Sequence, residues 1–253
     1  MKRTTRLLIA VLVLCVGSCI PATAQHEFTY NGDTGPGYWS DLESDFSACA
    51  PSPTGRQSPI DIDSVVLDPG LGGLNLILNK MAYTLINNGH TIQATPQEGG
   101  TLTIGSEIYT LSQFHFHTLS EHTVEGTHGV MELHAVFIDA KNNYVVIGML
   151  YKIGKQSKFL GNLIAAGLPK LTTSAPVTVN KLDFEKAFTD TNRYYTYPGS
   201  LTTPPCTESV KWIVLKEWAE LSSEQFEAFR TILGDDFRPL QERNKRVVRA
   251  TVW

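Results

Sequence analysis

The segment from Gln113 to His117 restricts the fold most, because polar and aromatic residues alternate strictly along it. An alternation with a period of two is the pattern of a β-strand whose two faces have different surroundings. Phe114 and Phe116 then lie on one face, which suits a core. His115 and His117 lie together on the opposite face. The sequence therefore predicts a sheet with an apolar core on one side and paired imidazoles on the other.

A third candidate ligand, His134, ends the triplet Glu132-Leu133-His134 in the next strand-like segment. Two histidines on one strand are a weak signal alone, since such pairs are also ordinary core or surface residues. Three neutral imidazoles around Zn²⁺ leave a fourth coordination position open, which is typical of catalytic rather than structural zinc sites. The sequence therefore predicts a zinc site formed by His115, His117 and His134.

Two more polar residues are placed to orient these imidazoles. Gln113 and Glu132 each precede a candidate ligand by two residues and so lie on the same face of their strand. Metal-binding histidines usually donate their second ring N–H to such a partner, which fixes the tautomer. We interpret His122 as a structural histidine beneath the site, and we assign no role to His26 and His128.

Short runs of β-branched and aromatic residues, separated by Gly, Asn and Asp, predict a series of strands. Helical periodicity is found in Lys158–Ala166 and in Ser222–Leu233, which opens with a Ser-x-x-Gln capping box. Residues 25–62 predict irregular packed loops. We predict the α+β class, with a single domain built on one large, mostly antiparallel mixed β-sheet and peripheral short helices. The predicted strands are Tyr83–Ile86, Thr91–Ala94, Leu102–Ile104, Glu107–His117, Met131–Ile138, Tyr144–Tyr151, Val210–Leu215 and a last one near Arg246–Ala250.

Residues 1–24 have the layout of a cleaved signal peptide: three cations, an apolar run over Leu7–Val16, and Ala22-Thr23-Ala24 before Gln25. The apolar run is shorter than the roughly 20 residues that a membrane-spanning helix needs. We therefore expect export of a single mature domain, residues 25–253, to the periplasm or the medium. Val16-Gly17-Ser18-Cys19 resembles the box at which bacterial lipoproteins are acylated, so a lipid anchor on Cys19 is the alternative.

Charge and cysteine content narrow the function classes further. Loss of residues 1–24 shifts the formal net charge from −4 to −7, because Lys2, Arg3 and Arg6 leave with them. A mildly acidic surface without a basic cluster argues against nucleic acid as a partner, and no second apolar segment is long enough to cross a membrane. Two cysteines remain, and an oxidising compartment favours their pairing, with two buried free thiols as the alternative. These are Cys49 and Cys206.

Motifs in matching order along nearly the whole mature chain resemble the α-class carbonic anhydrases, and in particular their exported bacterial members. The resemblance implies reversible hydration of carbon dioxide to bicarbonate and a proton, through attack by zinc-bound hydroxide and proton shuttling by histidine. It implies a lyase that needs Zn²⁺ and has a minor esterase side activity. It does not decide between a monomer and a homodimer. The motifs are Gly35-Pro36 with Trp39, Gln57–Ile62, Asn87–His90, Gln113–His117, Ser120–Val124, Glu132–His134, Ser200–Glu208 and Trp212–Leu215.

The resemblance also implies roles for individual residues. Thr202 matches the threonine that orients the hydroxide, with Glu121 accepting its hydroxyl proton, and His90 matches the proton shuttle. Tyr30 and Asn88 match residues that order water beside the shuttle. Cys49 and Cys206 match a disulfide of exported bacterial members. The apolar wall that receives carbon dioxide is matched by Val136, Val146, Leu201 and Trp212, with Thr203 at its mouth.

Departures from the family are few. Phe28 and Thr118 stand where tryptophan is common, and we expect them to change only local packing. The resemblance implies that Gln93 faces the pocket. One rival function is a catalytically silent binding domain of the same fold, although such relatives usually lack a zinc ligand. The other is a zinc hydrolase of esters or peptides, although the helical HExxH motif typical of zinc peptidases does not occur in the sequence.

Overall fold

A computed structural model describes residues 28–252 of the chain. The predicted signal peptide, the acylation alternative at Cys19 and the unassigned His26 lie outside the described residues. Three α-helices occur within residues 28–252: α1 (Trp39–Leu42), α2 (Lys158–Ala166) and α3 (Ser223–Leu233), with short 3₁₀ helices at Gly32–Thr34, Ser44–Cys49 and Phe184–Ala187.

Sixteen strands make up the framework of the described part of the chain. Those predicted at Glu107–His117, Met131–Ile138 and Val210–Leu215 have the predicted bounds. The strands are β1 (Asp61–Ile62), β2 (Val66–Leu67), β3 (Asn75–Ile77), β4 (Met81–Asn87), β5 (Ile92–Pro96), β6 (Thr101–Ile104), β7 (Glu107–His117), β8 (Thr123–Val124), β9 (Thr127–His128), β10 (Met131–Ile138), β11 (Tyr144–Ile153), β12 (Val177–Leu182), β13 (Tyr194–Gly199), β14 (Val210–Leu215), β15 (Ala219–Leu221) and β16 (Arg249–Ala250).

Thirteen of these strands form one large mixed sheet, in the order β12-β4-β5-β7-β10-β11-β14-β13-β16-β2, with β3, β6 and β15 attached at its sides. Its pairs are antiparallel except for β11 with β14, β11 with β15 and β16 with β2. The remaining strands, β1, β8 and β9, form a small sheet of their own. The predicted fold class is therefore confirmed.

The two faces of the large sheet have different environments, as the alternation along β7 predicts. Phe114 and Phe116 are fully buried in the larger apolar core, which α2 and α3 cover. Phe114 packs on Phe159 of α2 at a ring distance of 5.8 Å, and Phe116 packs on Phe229 of α3 at 4.7 Å. The opposite face carries the histidines and a second apolar cluster that includes Trp212.

Strand β13 is among the strands that the sequence analysis did not predict. It contains Pro198, and proline cannot donate to a sheet ladder. The structure shows why proline is tolerated at this position. β13 pairs with β14 along its whole length, but its other neighbour, β16, reaches only Tyr195 and Thr196. Beside Pro198, therefore, one flank of β13 has no neighbouring strand in this sheet. The missing N–H of proline leaves no acceptor of a neighbouring strand unpaired on that flank.

Cys49 and Cys206 form a disulfide, which confirms the predicted pairing. It joins the 3₁₀ helix at Ser44–Cys49 to the loop that follows β13, across 157 residues of sequence. Both half-cystines are buried beside Trp39. The bridge therefore ties the irregular N-terminal loops to the segment that carries Thr202.

Replacing both cysteines with alanine is expected to lower the free energy of unfolding by about 4–5 kcal/mol, because a cross-link over so long a loop restricts the unfolded chain. Urea unfolding of the Cys49→Ala, Cys206→Ala double variant measures this loss. The wild type under strong reductant should lose a similar amount, whereas the double variant should not respond to reductant. Equal stability of variant and wild type would contradict the expectation.

Candidate metal centre

The three predicted histidines converge on the open face of the sheet. His115 of β7 lies directly opposite His134 of β10, and His117 lies opposite Glu132. One nitrogen from each of the three imidazoles lies within 4.8 Å of the others. His117 and His134 are buried, while His115 is half-buried and borders the cavity above. Strand pairing therefore brings together the ligand set that the sequence predicts.

Each imidazole is oriented through its second nitrogen. Nδ1 of His115 donates to Oε1 of Gln113 at 2.8 Å, as predicted. Nδ1 of His117 donates to the main-chain oxygen of Asp236 at 2.6 Å. Nε2 of His134 lies 3.0 Å from Oε1 of Glu132, off the line of a hydrogen bond. These contacts leave Nε2 of His115, Nε2 of His117 and Nδ1 of His134 facing one another.

The protonation of the three rings follows from their surroundings. Burial holds the pKa of His115 well below its usual range, and the neighbouring rings of His117 and His134 add to the effect. Burial also lowers the pKa of His134, although Glu132 opposes it. For His117, burial acts downward but is outweighed by Glu121 and Asp236, so its pKa is raised. Two of the rings are therefore already neutral at pH 7, the form that binds a metal ion.

The residues present fit a zinc ion. Nε2 of His117 is buried and has no hydrogen-bond partner, which is costly for a polar atom unless it binds something else. Three imidazole nitrogens with oriented lone pairs form the donor set of a catalytic zinc site. His122, Glu132 and His134 form a second cluster of metal-ligand type, but Nδ1 of His122 already bonds to Glu132. The three predicted histidines are therefore the better candidate site.

Glu132 lies at the base of the centre and is fully buried. Its Oε2 accepts the main-chain N–H groups of Glu121 (2.9 Å) and His122 (2.8 Å), and its Oε1 accepts Nδ1 of His122 (2.8 Å). Burial would raise its pKa, but His122 and His134 outweigh burial and hold the pKa well below its usual range. Nε2 of His122 lies 2.6 Å from the Tyr197 hydroxyl. These contacts support the interpretation of His122 as a structural histidine.

Glu121 lies beside the histidines and is also fully buried. Its Oε1 accepts the main-chain N–H of Arg238 at 2.7 Å. Its Oε2 has no hydrogen-bond partner and lies 3.6 Å from Nε2 of His117 and 3.9 Å from Nδ1 of His134. The expected hydrogen bond from Thr202 is therefore not formed in this structure, although Thr202 is buried in the same site.

An apolar cavity of about 280 Å³ adjoins the histidines. Sheet register produces its wall, since Val136 lies opposite Val146 and Val146 pairs with Trp212 in the row next to His134. All five residues expected in the wall and its mouth line this cavity. Ser112, Ile138 and Tyr144 also line it, and the sequence analysis did not assign them to the wall. The five expected residues are Val136, Val146, Leu201, Thr203 and Trp212.

A more polar cavity of about 190 Å³ lies on the other side of His115. It is lined by the predicted proton-path residues Tyr30, Asn88 and His90, and by Gln93 as expected. Oδ1 of Asn88 accepts the main-chain N–H of His90 at 3.0 Å. The Tyr30 hydroxyl is buried without a partner, and burial, with Glu121 and Asp236 adding to it, raises its pKa well above the usual range. Tyr30 therefore stays protonated at neutral pH.

The expectation that Phe28 affects only local packing is wrong. The Phe28 ring stacks on the His90 imidazole, with ring centroids 3.8 Å apart and planes 6° from parallel. Thr118 donates its main-chain N–H to Oδ1 of Asp236 at 2.6 Å, next to the carbonyl that orients His117. Phe28 therefore contacts the proposed shuttle. The Thr118 contact is made by its main-chain N–H and does not depend on the residue type, so the expectation for Thr118 stays a prediction.

Known proteins with similar sequences identify the family. The sequence profile of eukaryotic-type carbonic anhydrases matches residues 34–252. A carbonic anhydrase of Neisseria gonorrhoeae is 36% identical over an alignment of 257 positions, which covers 97% of each chain. The chain belongs to the α-carbonic anhydrase family. It is an enzyme of the carbonic anhydrase type, a lyase, as the sequence motifs imply.

Further relatives agree with this family. A carbonic anhydrase of Klebsiella pneumoniae is 37% identical over 236 residues, which cover 91% of this chain and 94% of that relative. The solved α-carbonic anhydrase of Thermovibrio ammonificans, in complex with the inhibitor sulfanilamide, superimposes with a TM-score of 0.83 at 37% identity. That superposition covers 88% of this chain and 99% of the other. Members of the family depend on zinc in general, and the histidine cluster of this carbonic anhydrase is compatible with that requirement.

Two residues of the centre in this carbonic anhydrase were missed by the sequence analysis. Asp236 orients His117 and Arg238 holds Glu121, each through a main-chain atom. Main-chain atoms are the same in every residue, so no residue type signals these contacts. Both residues lie in an irregular segment more than one hundred positions from their partners. Only the tertiary fold reveals them.

Glu132→Gln is expected to lower the free energy of unfolding by about 2–4 kcal/mol. The buried N–H donors of Glu121 and His122 lose a charged acceptor, and one of them faces the NH₂ group of the glutamine amide instead of an oxygen. Urea unfolding of the metal-free protein measures the effect. Glu220→Gln is the matched control, since Glu220 is 38% exposed, contacts Lys152 at 3.9 Å and accepts one main-chain N–H, from Lys155, at 3.1 Å. That change should cost less than about 1 kcal/mol. Equal losses in the two variants would contradict the structural role of Glu132.

Proposed function

We propose that this carbonic anhydrase catalyses the zinc-dependent, reversible hydration of carbon dioxide to bicarbonate and a proton. The observation that carries the proposal is the cluster of His115, His117 and His134, with nitrogens within 4.8 Å of one another beside an apolar cavity. These three residues would hold the ion. When bound, zinc lowers the pKa of water to about 7 and so supplies hydroxide at neutral pH.

The apolar cavity is proposed as the site where carbon dioxide binds. Carbon dioxide is small, uncharged and apolar, so a dry hydrophobic niche favours it over water. Val136 and Val146 form one row of the sheet with Trp212, directly beside the row that holds His134. The indole N–H of Trp212 donates to Ser200 at 2.9 Å, which fixes the ring against the wall.

Glu121 and Thr202 are proposed to select and orient the reacting group. Oε2 of Glu121 is a buried acceptor without a donor, and the Thr202 hydroxyl is the donor that we assign to it. A hydroxyl that donates to Glu121 offers only its lone pairs to a reactant, so it favours a reactant oxygen that still carries a proton. The N–H of Arg238 holds Oε1 of the same carboxylate and keeps Oε2 directed toward the histidines.

His90 is proposed to carry the proton out of the site. An imidazole with a pKa near 6.5 can accept and release protons at physiological pH. His90 shares the polar cavity with His115 and His117, and Asn88 holds its main chain. We assign Tyr30 and Asn88 to the ordering of water along this path. Stacking on Phe28 supports one position of the ring at the cavity wall.

We further propose that residues 25–253 form the catalytic domain, exported to the periplasm or the medium after removal of residues 1–24. The Cys49–Cys206 disulfide supports export, because such bonds persist in oxidising compartments. Acylation at Cys19 would place the same domain on a membrane surface. No helix within residues 28–252 is both long and apolar enough to cross a membrane.

The rival functions have less support. A catalytically silent binding domain of this fold does not need residues that bind a metal ion. This chain has three convergent imidazoles and the buried Oε2 of Glu121 beside them. A dedicated ester hydrolase would need room for a bulky acyl group beside the metal. The apolar cavity of about 280 Å³ suits a small substrate, so we propose ester hydrolysis as a minor side activity only.

His117→Ala is expected to abolish stoichiometric zinc binding and carbon dioxide hydration together, because two imidazoles do not complete the site. Zinc content by elemental analysis and acidification of carbon dioxide-saturated buffer measure the two effects. His128→Ala is the control, since His128 binds Ser120 outside the cluster, and it should keep its zinc. A wild type without zinc, or with a larger kcat/KM for an aryl ester than for carbon dioxide, would overturn the proposed function.

His90→Ala is expected to slow turnover in weak buffer by about 10²-fold, because an acid–base group that moves the proton is lost. Added imidazole should restore most of the rate in the variant and change the wild-type rate little. Stopped-flow measurement of carbon dioxide hydration at several buffer concentrations checks this. A variant that imidazole does not rescue would assign the proton path to another residue.

A further inference from the structure

Gly148 lies within β11, directly opposite His134 in the register of β10 and β11 and beside Val214 of β14. Its backbone φ lies outside the left-handed region, so a larger residue would suit the backbone. A glycine inside a strand weakens it, and often marks a place where another group approaches closely. Space, rather than backbone conformation, therefore has to explain this glycine.

The group that approaches Gly148 is the carboxylate of Glu132. A Cβ atom built at position 148 would lie 2.7 Å from Oε1 of Glu132, closer than real Cβ contacts. Its next neighbours, Cζ3 of Trp212 and Cγ2 of Val214, would both lie at 3.6 Å, which is ordinary van der Waals contact. Of these three neighbours, only the carboxylate excludes a side chain.

The carboxylate cannot move aside without breaking other contacts. Oε1 of Glu132, the atom nearest the missing Cβ, bonds to Nδ1 of His122 at 2.8 Å and contacts Nε2 of His134 at 3.0 Å. Oε2 is held by the main-chain N–H groups of Glu121 and His122. A methyl group at position 148 would therefore act on the contact that orients His134.

We propose that Gly148 is a positioning residue of the metal centre. Its missing side chain leaves the space in which the Glu132 carboxylate reaches Nε2 of His134, and so sets the direction of Nδ1 of that ring. Gly148 does not line the apolar cavity, and it acts on His134 through Glu132. The inference rests on the proposed zinc site, because it takes His134 as a ligand.

Gly148→Ala tests the proposal on metal affinity rather than on activity. We expect the metal-free variant to bind Co²⁺ about 10- to 100-fold more weakly than the wild type, the usual effect of disturbing a residue that orients a metal ligand. Competition with a chromophoric chelator measures the affinity. In the metal-free protein, the imidazole N–H proton resonances of His122 and His134 should also shift, because both rings contact the displaced carboxylate oxygen.

Glu132→Asp provides a rescue that a merely structural glycine would not show. Aspartate is shorter by one methylene and withdraws the carboxylate from position 148. Alone, Glu132→Asp should weaken Co²⁺ binding, because the carboxylate no longer reaches His134. In the Gly148→Ala background, the same change should strengthen binding, because it removes the clash. The sign of its effect should therefore reverse between the two backgrounds.

Gly100→Ala is the matched control, since a Cβ at this buried glycine would meet the Leu78 side chain and the main-chain oxygen of Ile77, away from the histidines. It should lower stability and leave Co²⁺ affinity unchanged. Wild-type affinity in Gly148→Ala, no reversal by Glu132→Asp, or equal weakening in Gly100→Ala would overturn the inference. If Gly148→Ala does not fold, recovery of folding by Glu132→Asp supports it and failure to recover overturns it. A wild type that binds no Co²⁺ would instead overturn the proposed zinc site, and this inference with it.

Discussion

The buried carboxylate of Glu132 is the constraint on which the rest of the metal centre depends. A buried charge is costly unless hydrogen bonds and opposite charge compensate it. Main-chain N–H groups and the rings of His122 and His134 provide that compensation, and they hold the pKa of Glu132 well below its usual range. Two further residues serve the same carboxylate. Tyr197 contacts His122, and Gly148 leaves room for the carboxylate itself.

The large sheet separates stability from chemistry. One face of β7 buries Phe114 and Phe116 in an aromatic core, where Phe114 also stacks on Phe184 at 4.2 Å. The other face holds His115 and His117 on the same strand. Because a strand fixes the direction of each side chain, packing of the core also fixes the direction of the imidazoles. Sites on strands are in this respect more precise than sites on loops.

This separation explains what the sequence could predict. The alternation along β7 and the short β-branched and aromatic runs of β7 and β10 are local patterns. They predicted the bounds of both strands, the three histidines and the partners Gln113 and Glu132. The contact of Phe28 with His90 and the carbonyl contact of Asp236 depend on irregular segments from both ends of the chain. No periodicity governs such segments. Their positions follow only from the complete fold.

The polar atoms around the site divide into two groups with different physical roles. On the Glu132 side, donors and acceptors are largely paired, which fixes geometry. On the cavity side, Oε2 of Glu121, Nε2 of His117 and the Tyr30 hydroxyl are buried without protein partners. Each such atom costs about 1–3 kcal/mol in stability. A chain selected for stability alone would pair or remove them, and the proposed function assigns their bonding capacity to reactants.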